Sequence, residues 1–425
     1  LISNAEISRQ ARLTGFAKHQ NSKIKACHLL TSFFALIAKS EKSYASWASA
    51  LSGVIGQPVS KQALFKRMNT AWVNLLKILL QLVLTKHLGA PTKKGKFKLF
   101  RNVYLQDSTA IKLPDFMNSL FPGNYSKGKH KSVAKINVVM NAITGLCTHF
   151  NITGFTTNEQ CLSATILDIA KKGDLVIRDL GYYSLHVFER MIATGIYFIS
   201  RQRFNTNLYD PKTMEQLSVI KLLKRKNYVD INLLCGKTNK LPVRLVAIKL
   251  DSKTTERKIR KARQDRDKRL NHSKEFYTAL GYIIFITNIN KSDCTAQDIS
   301  DLYRTRWQIE LLFKSWKTGI KIESIIPNDQ INTIRIEAVL YMILLYIAWF
   351  EVHIYLPIKI EAYKKHKKII SKVKLASFVI KQYGQFYAAV LSHQTIEQIF
   401  YYCCHEKRKR INATEHFNQL MHNFG

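Results

Sequence analysis

Strand-like and helix-like segments alternate through the middle of this chain, and that alternation limits the fold more than any other feature of the sequence. Between residues 97 and 203, short apolar or alternating runs are followed by turn residues or by helical patterns. The pattern resumes with a strand predicted at Tyr282–Asn288 and a helix predicted from about Ala296 to Lys317. Strands and helices in this order predict a mixed α/β sheet.

The same patterns divide the chain into segments. The predicted strands are Phe97–Gln106, Ser132–Ile143, Cys147–Phe155, Leu175–Arg178 and Ile196–Arg201, and the predicted helices between them are Asn158–Lys172 and Ser184–Thr194. Strand patterns at Tyr228–Cys235 and Leu241–Leu250, followed by the charged run Lys253–Lys274, interrupt this order. The predicted domains are a helical domain at 1–90, an α/β core at 97–203 and 281–325, a β-rich insertion with a basic helix at 204–280, and a helical region at 326–425.

Two aspartates occupy the same place relative to predicted strands. Asp107 follows the strand Phe97–Gln106, and Asp179 follows the strand Leu175–Arg178. Carboxylates at the ends of such strands collect along one edge of an α/β sheet, where ligands bind. For either aspartate alone, a role in a turn or at a helix N-cap is the alternative.

A third acidic residue lies in the stretch Asp301–Gly319. On a regular helix, Glu310 falls within an arc of roughly 60° that also holds two cations and a phenol. These neighbours are Tyr303, Arg306 and Lys317. A carboxylate among phosphate-binding cations, at the rim of a buried face, suits a metal-dependent phosphoryl-transfer site. An amphipathic helix with a solvated basic edge is the alternative.

The charge of the chain indicates its partner. Lysine and arginine outnumber aspartate and glutamate by 66 to 29, a formal net charge of +37. Such an excess predicts a polyanionic partner, with nucleic acid favoured over an acidic membrane surface. No stretch resembles a signal peptide, and the longest apolar run, Ala338–Phe350, is too short to span a bilayer unaided. We therefore expect a soluble intracellular protein with no membrane partner.

The N-terminal segment has the outline of a helix-turn-helix. Two short helices are predicted around the turn Gly56-Gln57-Pro58, with Ser60 capping the second. If the second helix enters a major groove, its first residues face bases and its later ones lie near phosphates. The candidate base contacts are Lys61 and Gln62, and the candidate phosphate contacts are Lys66 and Arg67. A plain helical hairpin with a basic surface is the alternative.

Together these motifs resemble bacterial DDE transposases of the insertion-sequence-four family, which includes the transposases of transposons five and ten. The family signature Y-x-x-R-x-x-x-E-x-x-x-x-x-x-K is matched at every spacing by Tyr303, Arg306, Glu310 and Lys317. The two other carboxylate motifs are present as YLQDST, with Asp107, and IRDLGYYSLHVF, with Asp179. The order of segments agrees with the family over nearly the whole chain.

The resemblance implies a fold and a site. The fold is a ribonuclease-H-like α/β core interrupted by a β-rich insertion, with helical N-terminal and C-terminal domains. The carboxylates Asp107, Asp179 and Glu310 are then the catalytic residues that hold two Mg²⁺ ions, for which Mn²⁺ can substitute. Phosphates near the scissile bond are gripped by Tyr303, Arg306 and Lys317. The wheel leaves Trp307 open between stacking on a displaced base and packing in a core.

The resemblance also implies an activity and partners. These are binding of double-stranded DNA at terminal inverted repeats and in the target, pairing of ends by a homodimer, and cut-and-paste cleavage and strand transfer through a hairpin intermediate. The expected location is the bacterial cytoplasm, with the nucleoid. One departure is that residues 204–280 contain no tryptophan to hold a flipped base. Two alternatives stay open: a catalytically silent, domesticated DNA-binding regulator, and a metal-dependent nuclease without strand transfer.

Overall fold

A computed structural model describes residues 2–19, 22–38, 41–85, 95–126, 128–224, 226–264, 273–327, 332–366, 368–381 and 393–405. The predicted linker Gly89–Gly95 falls almost entirely outside these residues. The first helices are α1 Asn4–Leu13, α2 Ala26–Ala38, α3 Tyr44–Ile55, α4 Lys61–Arg67 and α5 Thr70–Thr85. The first strands are β1 Val103–Leu113, β2 Pro122–Ser126, β3 Lys129–Asn141, β4 Leu146–Gly154 and β5 Leu175–Arg178, followed by α6 Leu185–Ala193 and β6 Tyr197–Arg201.

The second half of the chain continues this sheet and then becomes helical. Its strands and first helices are β7 Leu208–Tyr209, β8 Gln216–Leu217, α7 Val219–Leu223, β9 Tyr228–Cys235, β10 Leu241–Lys249, α8 Ser252–Arg263, α9 Lys274–Ala279 and β11 Tyr282–Thr287. The helices that follow are α10 Ala296–Arg304, α11 Trp307–Lys314, α12 Ile322–Ile325, α13 Thr333–Phe350, α14 Leu356–His366, α15 Lys372–Lys381 and a last one at His393–Tyr402.

The strands form one mixed sheet, which confirms the predicted α/β class. Its order is β2-β3-β1-β5-β6-β11-β10-β9-β7-β8, with β4 paired to β3. The parallel pairs are β1 with β5 and β5 with β6, whereas β1 and β3 run antiparallel. The hairpin predicted around Thr144-Gly145 is confirmed as β3 and β4. Helix α6 connects the parallel strands β5 and β6, as parallel pairing requires.

The strands of the interrupting segment 204–280 extend this same sheet. Strand β10 pairs with β11 on one side and with β9 on the other, and β11 pairs with β6. The core strand β11 therefore lies between a strand that precedes the interruption and a strand that belongs to it.

The predicted helix Asn158–Lys172 is wrong. The segment consists of turns and a short 3-10 helix, Ser163–Asp168. Buried side chains of the sheet engage its backbone instead: Gln106 donates to the Leu162 carbonyl at 3.1 Å, and Arg178 donates to the Ser163 carbonyl at 3.3 Å. Carbonyl groups that accept from the sheet in this way are held in an irregular path that hydropathy does not reveal.

The N-terminal helices pack against the C-terminal half of the chain. The two-helix geometry predicted around Gly56 is confirmed, since Gly56 ends α3 in the left-handed region at φ 74° and the Ser60 hydroxyl accepts from the Ala63 amide. Helix α5 contacts α13, where Lys77 and Glu337 form an ion pair of 2.9 Å. One apolar core is therefore shared by the N-terminal helices, the sheet and α13.

Helix α13 and its continuation form a long apolar helical stretch. Among the described residues, the segment 333–364 is long and apolar enough to cross a membrane by length and composition, and so is the bent pair of α4 and α5 if it is taken as one span. In the fold, 78% of the most apolar window of 333–364 is buried. A helix that is apolar on all sides and buried in protein is a core helix.

Candidate active site

The sheet brings Asp107 and Asp179 side by side. The parallel pairing of β1 and β5 runs from Val103 opposite Leu175 to Gln106 opposite Arg178. Asp107 and Asp179 are the next residues on each chain, so they lie level with each other where the pairing ends. The predicted edge is present, although the strand containing Asp107 does not end there. Strand β1 continues to Leu113 because β3 remains paired with it on the other side.

The predicted helix Ala296–Lys317 is interrupted between α10 and α11. At the break, the Thr305 and Arg306 amides donate to carbonyls three residues back, at 3.1 Å and 3.0 Å. The Thr305 hydroxyl also donates to the Leu302 carbonyl at 2.6 Å, the kind of local bond that competes with regular helical bonding. A π-helical segment, Ser315–Ile320, follows α11. A single regular helix was therefore the wrong prediction, although Tyr303, Arg306 and Glu310 still face the same cluster.

Tyr303 and Arg306 connect this broken helix to the two aspartates. The Tyr303 hydroxyl donates to Asp179 Oδ1 at 3.2 Å. Arg306 donates from Nη1 to Asp107 Oδ2 at 2.8 Å and from Nη2 to Glu310 Oε1. The structure thus gathers five sequence-predicted residues, which are Asp107, Asp179, Glu310, Tyr303 and Arg306, into one cluster that we call the acidic edge.

Burial raises the pKa of two groups in the acidic edge, Asp107 and Tyr303. It raises the pKa of Asp107 to about 6, outweighing the lowering by Arg306, while Asp179 adds to the rise. Burial also raises the pKa of Tyr303, and the charge of Asp179 raises it further. The phenol is therefore neutral near pH 7 and acts as a hydrogen-bond donor.

The donor set of the acidic edge suits a hard divalent cation, but its arrangement includes a competing cation. Three carboxylates supply oxygen ligands of the kind Mg²⁺ prefers. Within the described ranges, no three acidic, histidine or cysteine residues are grouped closely enough to hold a metal ion. The Arg306 guanidinium lies between Asp107 and Glu310 and pairs with both. The residues fit a divalent cation chemically, provided that Arg306 releases these carboxylates.

The other predicted DNA contacts differ in their exposure. Lys317 is exposed on the π-helical segment. Trp307, directly after Arg306, is 51% exposed, which is inconsistent with the alternative of packing in the core. On α4, Lys61, Gln62 and Lys66 are exposed, whereas Arg67 is partly buried and donates to the Ser22 hydroxyl at 2.9 Å. The described contacts of α4 do not reach the acidic edge.

Sequence reasoning missed two charged residues here. Arg201 ends β6, whose pairing with β5 sets Ser200 opposite Arg178, so Arg201 lies level with Asp179. Its charge acts on Tyr303 and on Lys258 of α8, and burial lowers the pKa of Lys258 to about 8. Glu159 was missed as well, and its carboxylate accepts from the Ser108 hydroxyl. The end of β6 could have indicated Arg201, whereas nothing in the sequence marks Glu159.

The chain matches one protein family and several curated relatives. The profile of the family described as "Transposase DDE domain" matches residues 98–343. The transposase for insertion sequence element IS231F of Bacillus thuringiensis subsp. israelensis is 27% identical in an alignment of length 318 that covers 69% of this chain and 65% of that protein. The transposase for element IS1151 of Clostridium perfringens is 24% identical in an alignment of length 306 that covers 67% of this chain and 63% of that protein. The chain thus spans less than two thirds of the length of these relatives.

A solved structure also resembles the fold. The piggyBac transposase in a synaptic complex with hairpin DNA aligns with a TM-score of 0.44 and 11% identity, over 96% of this chain and 84% of that one.

Proposed function

Because the chain belongs to the transposase DDE domain family, we propose that it is an insertion-sequence transposase of the insertion-sequence-four type that cuts and joins DNA at the inverted repeats of its element. The observation that carries this proposal is the acidic edge, where Tyr303 and Arg306 link Asp107, Asp179 and Glu310 from adjacent elements. In a protein with a net charge of +37, three carboxylates linked at a partly buried edge serve a purpose other than DNA affinity.

In this proposal Asp107, Asp179 and Glu310 hold two Mg²⁺ ions, or Mn²⁺ in their place. Bound there, divalent cations supply Lewis-acid activation of the attacking and leaving oxygens of an in-line displacement. The protein's own residues orient the DNA. Arg306 leaves its carboxylate partners and binds a phosphate near the scissile bond, which its fork of donors suits. Tyr303 contributes a neutral hydroxyl donor beside Asp179, and Lys317 binds a phosphate further along.

Trp307 completes the proposed grip on the DNA. Its ring is half-exposed next to Arg306, so it is available to stack on an unpaired base. We assign this stacking to a hairpin intermediate, in which a base is displaced. In the interrupting segment, Phe204 and Phe276 pack on each other edge to face at 5.4 Å, whereas Tyr228 is 52% exposed and available to a second base.

Recognition of the inverted repeats is assigned to α3 and α4. The exposed Lys61 and Gln62 at the start of α4 contact bases, and Lys66 contacts a phosphate. The partly buried Arg67 orients α4 against Ser22 and reaches a phosphate from there. A homodimer pairs two ends, and the protein acts in the bacterial cytoplasm on nucleoid DNA. The five predicted domains, from 1–90 to 326–425, divide these tasks.

The experiment that tests the proposal uses a labelled duplex carrying the element's end, with Mg²⁺ or with EDTA. We expect nicking at the end and then joining to a target duplex, both dependent on Mg²⁺. Binding without cleavage would indicate a silent DNA-binding regulator, and cleavage without joining would indicate a nuclease. Asp115→Asn is the matched control for substitutions of the carboxylates in the acidic edge, because Asp115 is an exposed residue paired with Lys131 and lies outside that edge.

End recognition is tested separately on α4. Deleting residues 1–90 would remove part of the shared apolar core, so point substitutions are the better test. We expect Lys61→Ala with Gln62→Ala to weaken binding to the element's end by about 1–3 kcal/mol per lost base contact. Binding to a scrambled duplex should change less, as measured by fluorescence anisotropy. Equal losses on both duplexes would place recognition elsewhere.

A further inference from the structure

Glu159 connects the two aspartate motifs of the acidic edge. It lies in the irregular segment between β4 and β5, and its Oε1 accepts a hydrogen bond of 2.5 Å from the Ser108 hydroxyl. The Ser108 amide in turn donates to Asp107 Oδ1 at 2.8 Å. The Ser108 hydroxyl thus bonds to the Glu159 carboxylate, and the Ser108 backbone amide bonds to the Asp107 carboxylate. Any shift of Glu159 is transmitted through Ser108 to Asp107.

The other oxygen of Glu159 lies against the segment that follows Asp179. A Cβ added to Gly181 would lie 1.9 Å from Glu159 Oε2, which is far inside van der Waals contact. Gly181 has no left-handed backbone angle, so its lack of a side chain is explained by this close approach alone. The Glu159 carboxylate therefore bridges the residue after Asp107 and the second residue after Asp179.

Among the residues that the structure describes, Glu159 has a hydroxyl partner and no cationic one. Within the described ranges, no lysine or arginine forms an ion pair with it, although the chain carries a large excess of both. The buried Tyr182 hydroxyl, next to Gly181 in the chain, donates to Asn137 Oδ1 at 2.6 Å and so anchors this turn to β3. An unpaired carboxylate beside two other carboxylates favours binding of a divalent cation nearby.

We propose that Glu159 is a positioning residue for the divalent-cation site: it fixes Asp107 through Ser108, braces the turn after Asp179, and adds negative charge that tightens cation binding. This inference rests on the proposed function, since it assumes that the aspartates hold the cation. It assigns Glu159 no contact with the scissile phosphate. Its effect is on the affinity for the cation more than on the rate once the cation is bound.

The test is a calorimetric titration of Mg²⁺ into the full chain without DNA. Glu159→Gln keeps an oxygen for Ser108 and removes the charge, and we expect it to weaken Mg²⁺ binding by about 10-fold to 100-fold. Glu159→Asp keeps the charge on a shorter side chain and should recover part of this loss. Glu215→Gln, at an exposed position of the interrupting segment, is the matched control and should bind Mg²⁺ as the wild type does.

Gly181→Ala provides an independent variant, because the added methyl group must displace the end of the flexible Glu159 side chain. We expect it to weaken Mg²⁺ binding in the same direction. In DNA cleavage, both variants should need more Mg²⁺ for half-maximal rate, with a rate at saturating Mg²⁺ within about threefold of the wild type if the effect acts through affinity. A normal Mg²⁺ affinity in Glu159→Gln would overturn the inference, whatever Gly181→Ala does.

The outcomes separate this inference from the proposed function. If the wild type cleaves the element's end and Glu159→Gln binds Mg²⁺ normally, the inference fails and the proposed function stands. If Mg²⁺ binding depends on Glu159 and yet the wild type never cleaves, the inference stands and the proposed function fails.

Discussion

Two arginines, Arg306 and Arg244, each form the centre of a charged cluster. The clusters differ in how completely the arginine balances the carboxylates around it. Arg244 on β10 pairs with Asp230 through Nε at 2.7 Å and Nη2 at 2.9 Å. Its Nη1 donates to three backbone carbonyls, those of Ile289, Asn290 and Cys294. Both side chains of the pair are only 3% exposed. Lys291 lies 3.8 Å from the same carboxylate, so Asp230 is fully balanced by cations. The Arg244 cluster is closed and fully bonded, and it fixes the loop that leads into α10.

The Arg306 cluster is neither neutral nor closed. One guanidinium faces three carboxylates, those of Asp107, Glu310 and, through Tyr303, Asp179. The side chains are 16% exposed for Arg306, 18% for Asp107 and 31% for Glu310. The two clusters differ less in burial, or in having an ion pair, than in the ratio of carboxylates to cations. A structural cluster has its carboxylate fully balanced, whereas a cluster with more carboxylates than cations can bind a further cation.

The largest expected difference between the clusters is in cleavage. Asp107→Asn, Asp179→Asn or Glu310→Gln should each lower the rate of end cleavage roughly 1,000-fold or more, because a carboxylate ligand near the developing charge is lost. Binding of the uncut end should be retained. Single-turnover cleavage of a labelled duplex measures the first, and gel shift measures the second. Asp230→Asn in the closed cluster should leave the rate per folded molecule unchanged, and a full rate in any edge variant would remove that residue from the site.

Stability should show the opposite ranking. Arg244→Met removes the close partner of the buried Asp230 and leaves only the exposed Lys291 at 3.8 Å. The free energy of unfolding should therefore fall by about 3 kcal/mol. Arg306→Met leaves carboxylates that water can reach, and we expect a loss of about 1 kcal/mol. Urea denaturation in metal-free buffer measures both. Added Mg²⁺ should restore the stability of Arg306→Met and not that of Arg244→Met. Equal losses of unfolding free energy in the two variants would contradict the distinction between the clusters.

Asp107 should also make the stability of the protein depend on pH. The pKa of Asp107 is raised to about 6 in the folded protein, chiefly by burial, from 3.8. Its protonated form is therefore favoured by folding. The contribution is present below about pH 4 and is lost as the pH rises through about 6, a change of about 3 kcal/mol at most. In urea denaturation without metal, the wild type should lose this stability between pH 4 and 6 relative to Asp107→Asn. If the unfolding free energies of the two proteins changed in parallel with pH, the pKa of Asp107 would not be raised by folding.

The smallest expected effect is on the salt dependence of DNA binding. If Arg306 turns from its carboxylates to a phosphate, Arg306→Ala should lower the slope of log affinity against log salt by about one unit. Arg304→Ala is a control on the same segment, since Arg304 is exposed and pairs with Asp301. Fluorescence anisotropy between low and moderate salt measures the slopes. An unchanged slope for Arg306→Ala would assign Arg306 a structural role like that of Arg244.

Local patterns predicted the parts of the site that depend on local structure. The strand Leu175–Arg178 was predicted to the residue, because four buried positions are followed directly by the charged Asp179. Three signature residues, Tyr303, Arg306 and Glu310, were brought together as expected, since their spacing survives a brief tightening of the helix. Lys317 lies on the π-helical segment and is exposed there. The break at Thr305 was missed because a helical wheel assumes regular bonding, and a single side-chain hydroxyl is enough to alter it.

The remaining features depend on contacts between distant segments. Glu159 reaches Ser108 because sheet side chains hold its segment in an irregular path, and no periodicity encodes that path. The strands Tyr228–Cys235 and Leu241–Lys249 were predicted closely, but their place in the core sheet was not. Which edge a strand joins is decided by packing across the whole fold, and alternation within the strand does not specify it.

The interrupting segment separates the three carboxylates along the chain. Strand β11 pairs with β6, before the interrupting segment, and with β10, within it. Asp107 and Asp179 precede that segment, and α11 with Glu310 follows it. A nascent chain, or any fragment, that ends within 204–280 therefore carries both aspartates and lacks the third carboxylate. Under the proposed function, such a fragment lacks one of the residues that hold the cation, and cleavage requires a chain that extends through α11.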